Sequence, residues 1–233
     1  MLTHPNQTIT LADLQKRVTT ELNGYSDSAR LDVDLILSHV LDIPRTAIIT
    51  QDKMLVKTEQ VKLIQQLIEK RKQYYPIAYI TGSRHFWDLE LKVTEDTLIP
   101  RPETELLVEM ALSLFPADKK IQLLDLGTGS GAIAVALAKA NPEWNVIASD
   151  NSSEALEVAR FNAERYKLKN IKLINSHWFT AITPEQKFDL ILSNPPYIEN
   201  NDPHLTLGDV KYEPRSALCS GQDGLDDIRQ LIP

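Results

Sequence analysis

The sequence predicts an α/β protein: a doubly wound parallel sheet, preceded by a small all-α unit and a β-hairpin linker. Three observations carry this. Apolar residues over about the first seventy positions recur at helical spacing. From residue 121 onward, short apolar runs alternate with helical stretches. The first of those runs ends in a glycine-rich turn, Gly127-Thr128-Gly129-Ser130-Gly131. Alternation of strand and helix implies parallel strands joined by right-handed crossovers.

Residues 1–76 read as the helical unit. Thr10 and Asp13 resemble a capping box, after which Leu11, Leu14, Val18 and Leu22 form one apolar face. Ala29, Val33, Ile36, Leu37, Val40 and Leu41 repeat the pattern up to Pro44, and a short helix is expected around residues 45–50. Thr58 is the expected cap of a fourth helix with Val61, Ile64, Leu67 and Ile68 inward. Lys70-Arg71-Lys72 then falls at that helix's C-terminus, where cations are favoured.

Residues 77–98 read as the linker. Pro76 and Gly82 punctuate the chain, and residues 84–87 and 89–93 look like a hairpin turning near Asp88. The segment Leu98-Ile99-Pro100-Arg101-Pro102-Glu103-Thr104-Glu105 suits a helix N-terminus, with Leu106, Leu107, Met110 and Leu114 continuing the helix.

Residues 99–233 hold the α/β unit. Strands are expected over 121–126, 146–149, 171–175 and 188–193, with helices over 132–140 and 154–166, the latter capped by Ser152 or Ser153. A long polar loop follows Tyr197, and a helix begins near Leu225, with Leu225, Ile228 and Ile232 on one face.

The glycine turn carries chemistry. Glycines allow a tight turn and close approach of a ligand, and a helix N-terminus offers free N–H groups to an anion. The spacing is G-x-G-x-G rather than the dinucleotide G-x-G-x-x-G. Asp150 ends the next strand, 19 positions beyond Gly131, where an acid can grip ribose hydroxyls. Asp125 just before the turn is placed to accept from a ligand ammonium or from loop amides. A glycine loop alone is shared by many nucleoside-containing cofactors.

Asn194-Pro195-Pro196-Tyr197 follows the last strand. An amide, two prolines without N–H groups and an aromatic ring form an acceptor-rich pocket beside a flat surface. Such a pocket suits a planar –NH2 group whose hydrogens must be gripped. Taken alone, Pro-Pro is more simply a strand-closing turn; the glycine loop upstream favours the chemical reading.

Composition narrows the partners. Residues 1–98 carry 12 Lys+Arg against 13 Asp+Glu and residues 99–233 carry 13 against 19, so no basic footprint for nucleic acid is visible. Cys219 is the single cysteine, and His4, His39, His85, His177 and His204 lack ligand spacing, so neither a disulfide nor a metal site is expected. Asn6-Gln7-Thr8 and Asn151-Ser152-Ser153 match a glycosylation pattern that means nothing without a secretion signal. No stretch reaches membrane-spanning length, and a cytoplasmic location is expected.

With both motifs in view, the chain resembles the class I S-adenosylmethionine-dependent methyltransferases. Within them it is similar to the family that methylates the glutamine side-chain amide of peptide chain release factors. The likeness covers the helical unit, the hairpin, Ile99-Pro100-Arg101-Pro102-Glu103-Thr104-Glu105, Asp125 to Gly131 and Asn194-Pro195-Pro196-Tyr197. The resemblance implies that Gly127, Thr128, Gly129, Ser130 and Gly131 wrap the methionine part of S-adenosylmethionine. It likewise implies that Asp150 holds the ribose and that Trp178 lies beside the adenine. Asn194, also next to the cofactor, and the carbonyl of Pro195 would take the two amide hydrogens of the acceptor glutamine, with Pro196 and Tyr197 completing the pocket. The helical unit would dock the substrate. The family usually has an acid where this chain has His177; a backbone N–H there still reaches the ring, so at most a weaker cofactor affinity is expected.

The implied mechanism is orientation. Two acceptors that fix the amide hydrogens turn the nitrogen lone pair toward the methyl donor, and no general base is required. Competing readings are a glutamine methyltransferase of a ribosomal protein and an adenine-amino methyltransferase of DNA or RNA, the latter opposed by the acidic charge. A different class is a non-catalytic cofactor-binding module that docks a partner. A class I methyltransferase needs three further strands after the fourth, so the sheet is expected to be cut about forty to fifty residues short. The expected consequence is an unprotected apolar edge at residues 188–193, with low stability and little activity.

Overall fold

The structure is a computed structural model that describes residues 9–116 and 118–232; His4 and Asn6-Gln7-Thr8 lie outside them. The chain divides into two compact units, Met1–Thr81 and Gly82–Pro233.

In the first unit, β1 (Ile9–Thr10), α1 (Leu11–Leu22), α2 (Ala29–Leu41), α3 (Arg45–Thr50), β2 (Leu55–Val56), α4 (Thr58–Lys72) and α5 (Ile77–Thr81) follow one another. Thr10 caps α1, its hydroxyl accepting the Asp13 N–H at 3.2 Å and donating to the Asp13 carboxylate at 2.6 Å. The predicted stripes meet in one core of Leu11, Leu14, Val18, Leu22, Ala29, Val33, Ile36, Leu37, Ile64 and Ile68, with Val40, Leu41, Val61 and Leu67 at its margin. At α4 the N-cap is Lys57 rather than Thr58, because the Gln60 side chain accepts the Lys57 N–H. Residues 77–81, expected as the start of the linker, instead form α5, the helical turn that Pro76 begins. A pairing of β1 with β2 is an addition, since two-residue strands carry no periodic signal.

The second unit begins with the hairpin of β3 (Ser83–Phe86) and β4 (Leu89–Lys92). Then come α6 (Glu105–Leu114), β5 (Gln122–Leu126), α7 (Ala132–Ala140), β6 (Asn145–Asp150), α8 (Ser153–Arg165), β7 (Ile171–Asn175), β8 (Leu190–Ser193) and α9 (Asp226–Leu231). The hairpin packs into this unit's core through Phe86, Leu89 and Leu91. α7 is apolar on all sides and buried from Ala132 to Ala138, its alanines allowing close approach to the sheet. Ser152 caps α8 by accepting the Ala155 N–H at 3.0 Å.

β5 to β8 form a parallel sheet in the order β7-β6-β5-β8. The chain steps outward from β5 to β6 to β7 and then returns to the opposite side of β5. Among the described residues β8 pairs with β5 alone, and Ile191 is about half exposed there. α6 buries Val108 and Ala111, whereas Leu106, Met110 and Leu114, which share one face four residues apart, stay exposed. No helix among the described residues is long and apolar enough to cross a membrane.

Candidate functional site

The reversal of strand order between β5 and β8 fixes where a ligand fits. In open α/β sheets the carboxyl ends of strands diverge at such a switch point and leave a crevice. A cleft of about 270 Å³ opens here, lined in part by Gly127 to Ser130, Asp150, His177, Trp178, Asn194 and Pro196. Register brings them together: Leu126 pairs with Ser193 and with Ser149, so the residues after β5, β6 and β8 emerge side by side.

The loop after β5 is held in a left-handed path, with positive φ at Gly127, Gly129 and Gly131. A Cβ on Gly129 would meet nothing within 4 Å, so that backbone faces open space. A Cβ on Gly127 would lie 3.2 Å from the Trp178 ring. Trp178 itself has φ +47°. Its indole N–H donates to Asp227 Oδ1 at 3.0 Å, and Asp227 also lines the cleft.

Asp150 organises the loop. Its Oδ2 accepts the Gly129 N–H at 2.8 Å and its Oδ1 accepts the Ser152 N–H at 2.9 Å. Each carboxylate oxygen keeps a further lone pair for a ligand hydroxyl. Beneath the loop, Asp125 is buried, and its Oδ2 accepts the Thr128 hydroxyl at 2.6 Å. Oδ1 has no hydrogen bond of full geometry. Burial pushes the Asp125 carboxyl up to about 6; the Thr128 hydroxyl opposes the rise, the Asp150 charge adds to it and the Ala134 amide opposes it.

Across the cleft, Asn194 follows β8 and donates from Nδ2 to Thr104 Oγ1 at 3.4 Å. Ser193 anchors the strand end by donating to the Leu126 carbonyl at 2.8 Å. Pro196 lines the cleft; Pro195, Tyr197 and Gly131 do not. Tyr197 is 65% exposed, and its backbone N–H is committed to the Leu218 carbonyl at 3.2 Å.

Residues 103–210 match the Methyltransferase small domain family, and residues 13–82 match the PrmC N-terminal domain. The release factor glutamine methyltransferase of Aliivibrio fischeri is 46% identical over 207 residues, 89% of this chain and 72% of that protein. The enzyme of the same name from Vibrio cholerae is 45% identical, over 96% of this chain and 78% of its own length. That from Coxiella burnetii is 41% identical, over 96% and 80%. This chain belongs to the release factor glutamine methyltransferase family.

The family's S-adenosylmethionine fits what lines the cleft. Gly129 leaves room against its backbone, and Asp150 keeps acceptor capacity beside it. His177 is exposed at the cleft, its ring 6.0 Å from that of Trp178. Among the described residues no group of three His, Cys, Asp or Glu side chains is arranged to hold a metal.

Four contributors carry no signal of their own in the sequence. Asn162, buried, accepts the Lys92 N–H at 2.7 Å and donates to the Ser130 carbonyl at 2.8 Å, tying the hairpin and α8 to the glycine loop. Asp227 and Glu213 lie in stretches that read as ordinary polar loop and helix. Thr104 lies within the Ile99–Glu105 segment, where nothing singles it out.

Proposed function

We propose that this protein transfers a methyl group from S-adenosylmethionine to the side-chain amide nitrogen of a glutamine in peptide chain release factors. The observation that carries the reading is the pairing of β5 with β8, which brings the glycine loop and Asn194 to one cleft. The shared name of relatives over most of the chain supports the substrate class.

In this reading Gly127 to Gly131 and Asp150 hold the cofactor's methionine and ribose parts, with Trp178 beside its base. S-adenosylmethionine supplies, when bound, an electrophilic methyl group on a sulfonium. Asn194 and the Pro195 carbonyl accept the two hydrogens of the acceptor amide, which keeps the nitrogen from rotating and directs its lone pair. Pro196 walls the pocket, and Tyr197, exposed without substrate, covers the amide plane. No residue is assigned as a base, because the methylated amide in its protonated form gives its proton to water readily. Residues 1–76 serve as the docking domain, 77–98 as the linker and 99–233 as the catalytic domain. Nucleic acid is not the acceptor: residues 99–233 carry 13 basic against 19 acidic side chains. A cytoplasmic location follows from a substrate class that works where translation does.

The test is transfer of labelled methyl to purified release factor, ribosomal protein and DNA in parallel, with the acceptor glutamine of the release factor replaced as control. Label confined to intact release factor is expected. Equal label on the glutamine-replaced protein, or preferential label on DNA, overturns the proposal.

A further inference from the structure

Glu213 lies in the long loop between Tyr197 and α9, and its side chain is fully buried. A buried carboxylate requires partners, and both of its oxygens have one. Oε2 accepts the Ile99 N–H at 3.0 Å, and Oε1 accepts the Arg101 guanidinium at 2.5 Å. Both partners are more than a hundred positions away in sequence.

The segment so held is part of the cleft wall: Leu98, Pro100 and Thr104 all line it. Pro100 and Pro102 have no N–H to donate, so the strap has few backbone bonds of its own. The Ile99 N–H goes to Glu213, and the Arg101 carbonyl accepts the Thr104 N–H at 3.1 Å. Arg101 is thereby fixed at both ends, by Glu213 through its side chain and by Thr104 through its backbone.

Thr104 in turn meets Asn194. Its Oγ1 accepts from Nδ2, so one end of the Asn194 amide is tied to the strap. A side chain without that tie is free to swing about its own bonds at the cleft. We infer that Thr104, carried by the Glu213–Arg101 tie, is a positioning residue that holds the Asn194 side chain in place for the acceptor amide. The inference rests on the function proposed above and adds the element that restrains Asn194.

Thr104→Val keeps the shape and removes the acceptor; Thr104→Ser keeps the acceptor. In single-turnover transfer to release factor, Thr104→Val is expected to lower the rate roughly tenfold, the size of one lost hydrogen bond in an orienting group. Cofactor affinity by calorimetry should change by less than about threefold, since no bond to the cofactor is assigned to Thr104. Thr104→Ser should recover most of the rate. Glu213→Gln should slow transfer in the same direction, because its amide turns a donor toward one of two N–H groups. A rate for Thr104→Val equal to wild type, or a Thr104→Ser protein as slow as Thr104→Val, overturns the inference.

A second readout does not depend on the acceptor. The Asn194 side-chain NH2 signals, assigned by their loss in Asn194→Ala, should shift in Thr104→Val and return in Thr104→Ser. If wild type labels no release factor yet these signals respond, the functional reading fails and the positioning role stands. Signals that are indifferent to Thr104→Val refute the positioning role, whatever the acceptor.

Discussion

Asp125→Asn isolates the electrostatics beneath the glycine loop. Burial lifts this carboxyl from its ordinary 3.8 to about 6. Between those two values the folded protein holds a proton that the unfolded chain releases. The unfolded state therefore binds fewer protons, and stability falls as pH rises through this window. The rise amounts to about 3 kcal/mol at about 1.4 kcal/mol for each pH unit. Asparagine does not titrate, so the wild-type protein should lose about 2.5 kcal/mol relative to Asp125→Asn between about pH 4 and about pH 7, with the steepest change near about pH 5. Urea unfolding of both proteins across that range measures the difference directly, and subtraction removes groups common to both. A difference that stays flat, or one that moves in favour of wild type as pH rises, would refute the account of a carboxylate ionised at a cost below the loop.

Three further outcomes are expected. Asn194→Ala should bind S-adenosylmethionine nearly as wild type while single-turnover transfer falls roughly a hundredfold, as expected for loss of an orienting contact; near-normal transfer would remove Asn194 from the orienting role. Gly127→Ala places a methyl 3.2 Å from the Trp178 ring at φ +71°, and the left-handed cost of about 1–2 kcal/mol should appear as a loss of that size in urea unfolding, with an unchanged midpoint showing that the loop relaxes without strain. In the helical unit, the buried Asp32 carboxylate accepts from the buried Arg71 at 2.7 Å and from Ser26 and the exposed Ser28. Asp32→Ala should cost about 3 kcal/mol in urea unfolding, because the buried guanidinium loses its counter-charge, and a loss below about 1 kcal/mol would mean the pair is effectively solvated.

What the sequence made legible was local. Thr10 and Ser152 cap the helices that follow them because the bond each makes reaches only three residues along the chain. The helical stripes of the first unit and the apolar runs of β5 to β8 were readable because burial imposes a period. Long-range polar ties had no such signature. Asn162 reaches Lys92 over 70 positions and Glu213 reaches Ile99 over 114, and nothing in either residue's neighbours announces a partner. By sequence Arg71 belongs to a basic helix end, whereas the fold turns it inward to Asp32. The face of α6 shows the opposite limit: Leu106, Met110 and Leu114 have helical spacing yet are exposed, since periodicity reports a shared face and not what covers it.

The site depended on one topological fact that neither motif contains. Parallel strands stand about 4.8 Å apart, so had β8 added beyond β7, three spacings from β5, Asn194 would emerge about 14 Å from the glycine loop. No side chain bridges that gap to act on one ligand. Pairing with β5 instead reduces the separation to a single spacing, and the register of Leu126 with Ser193 sets both motifs at the same height. The two sequences are each weak alone, one a loop common to nucleoside cofactors and the other a proline turn. Their chemical meaning comes from adjacency, and the reversal of strand order produces that adjacency. A circularly permuted or strand-swapped variant that keeps both motifs but separates β5 from β8 should bind cofactor and transfer nothing; retained transfer would show that the pairing is dispensable.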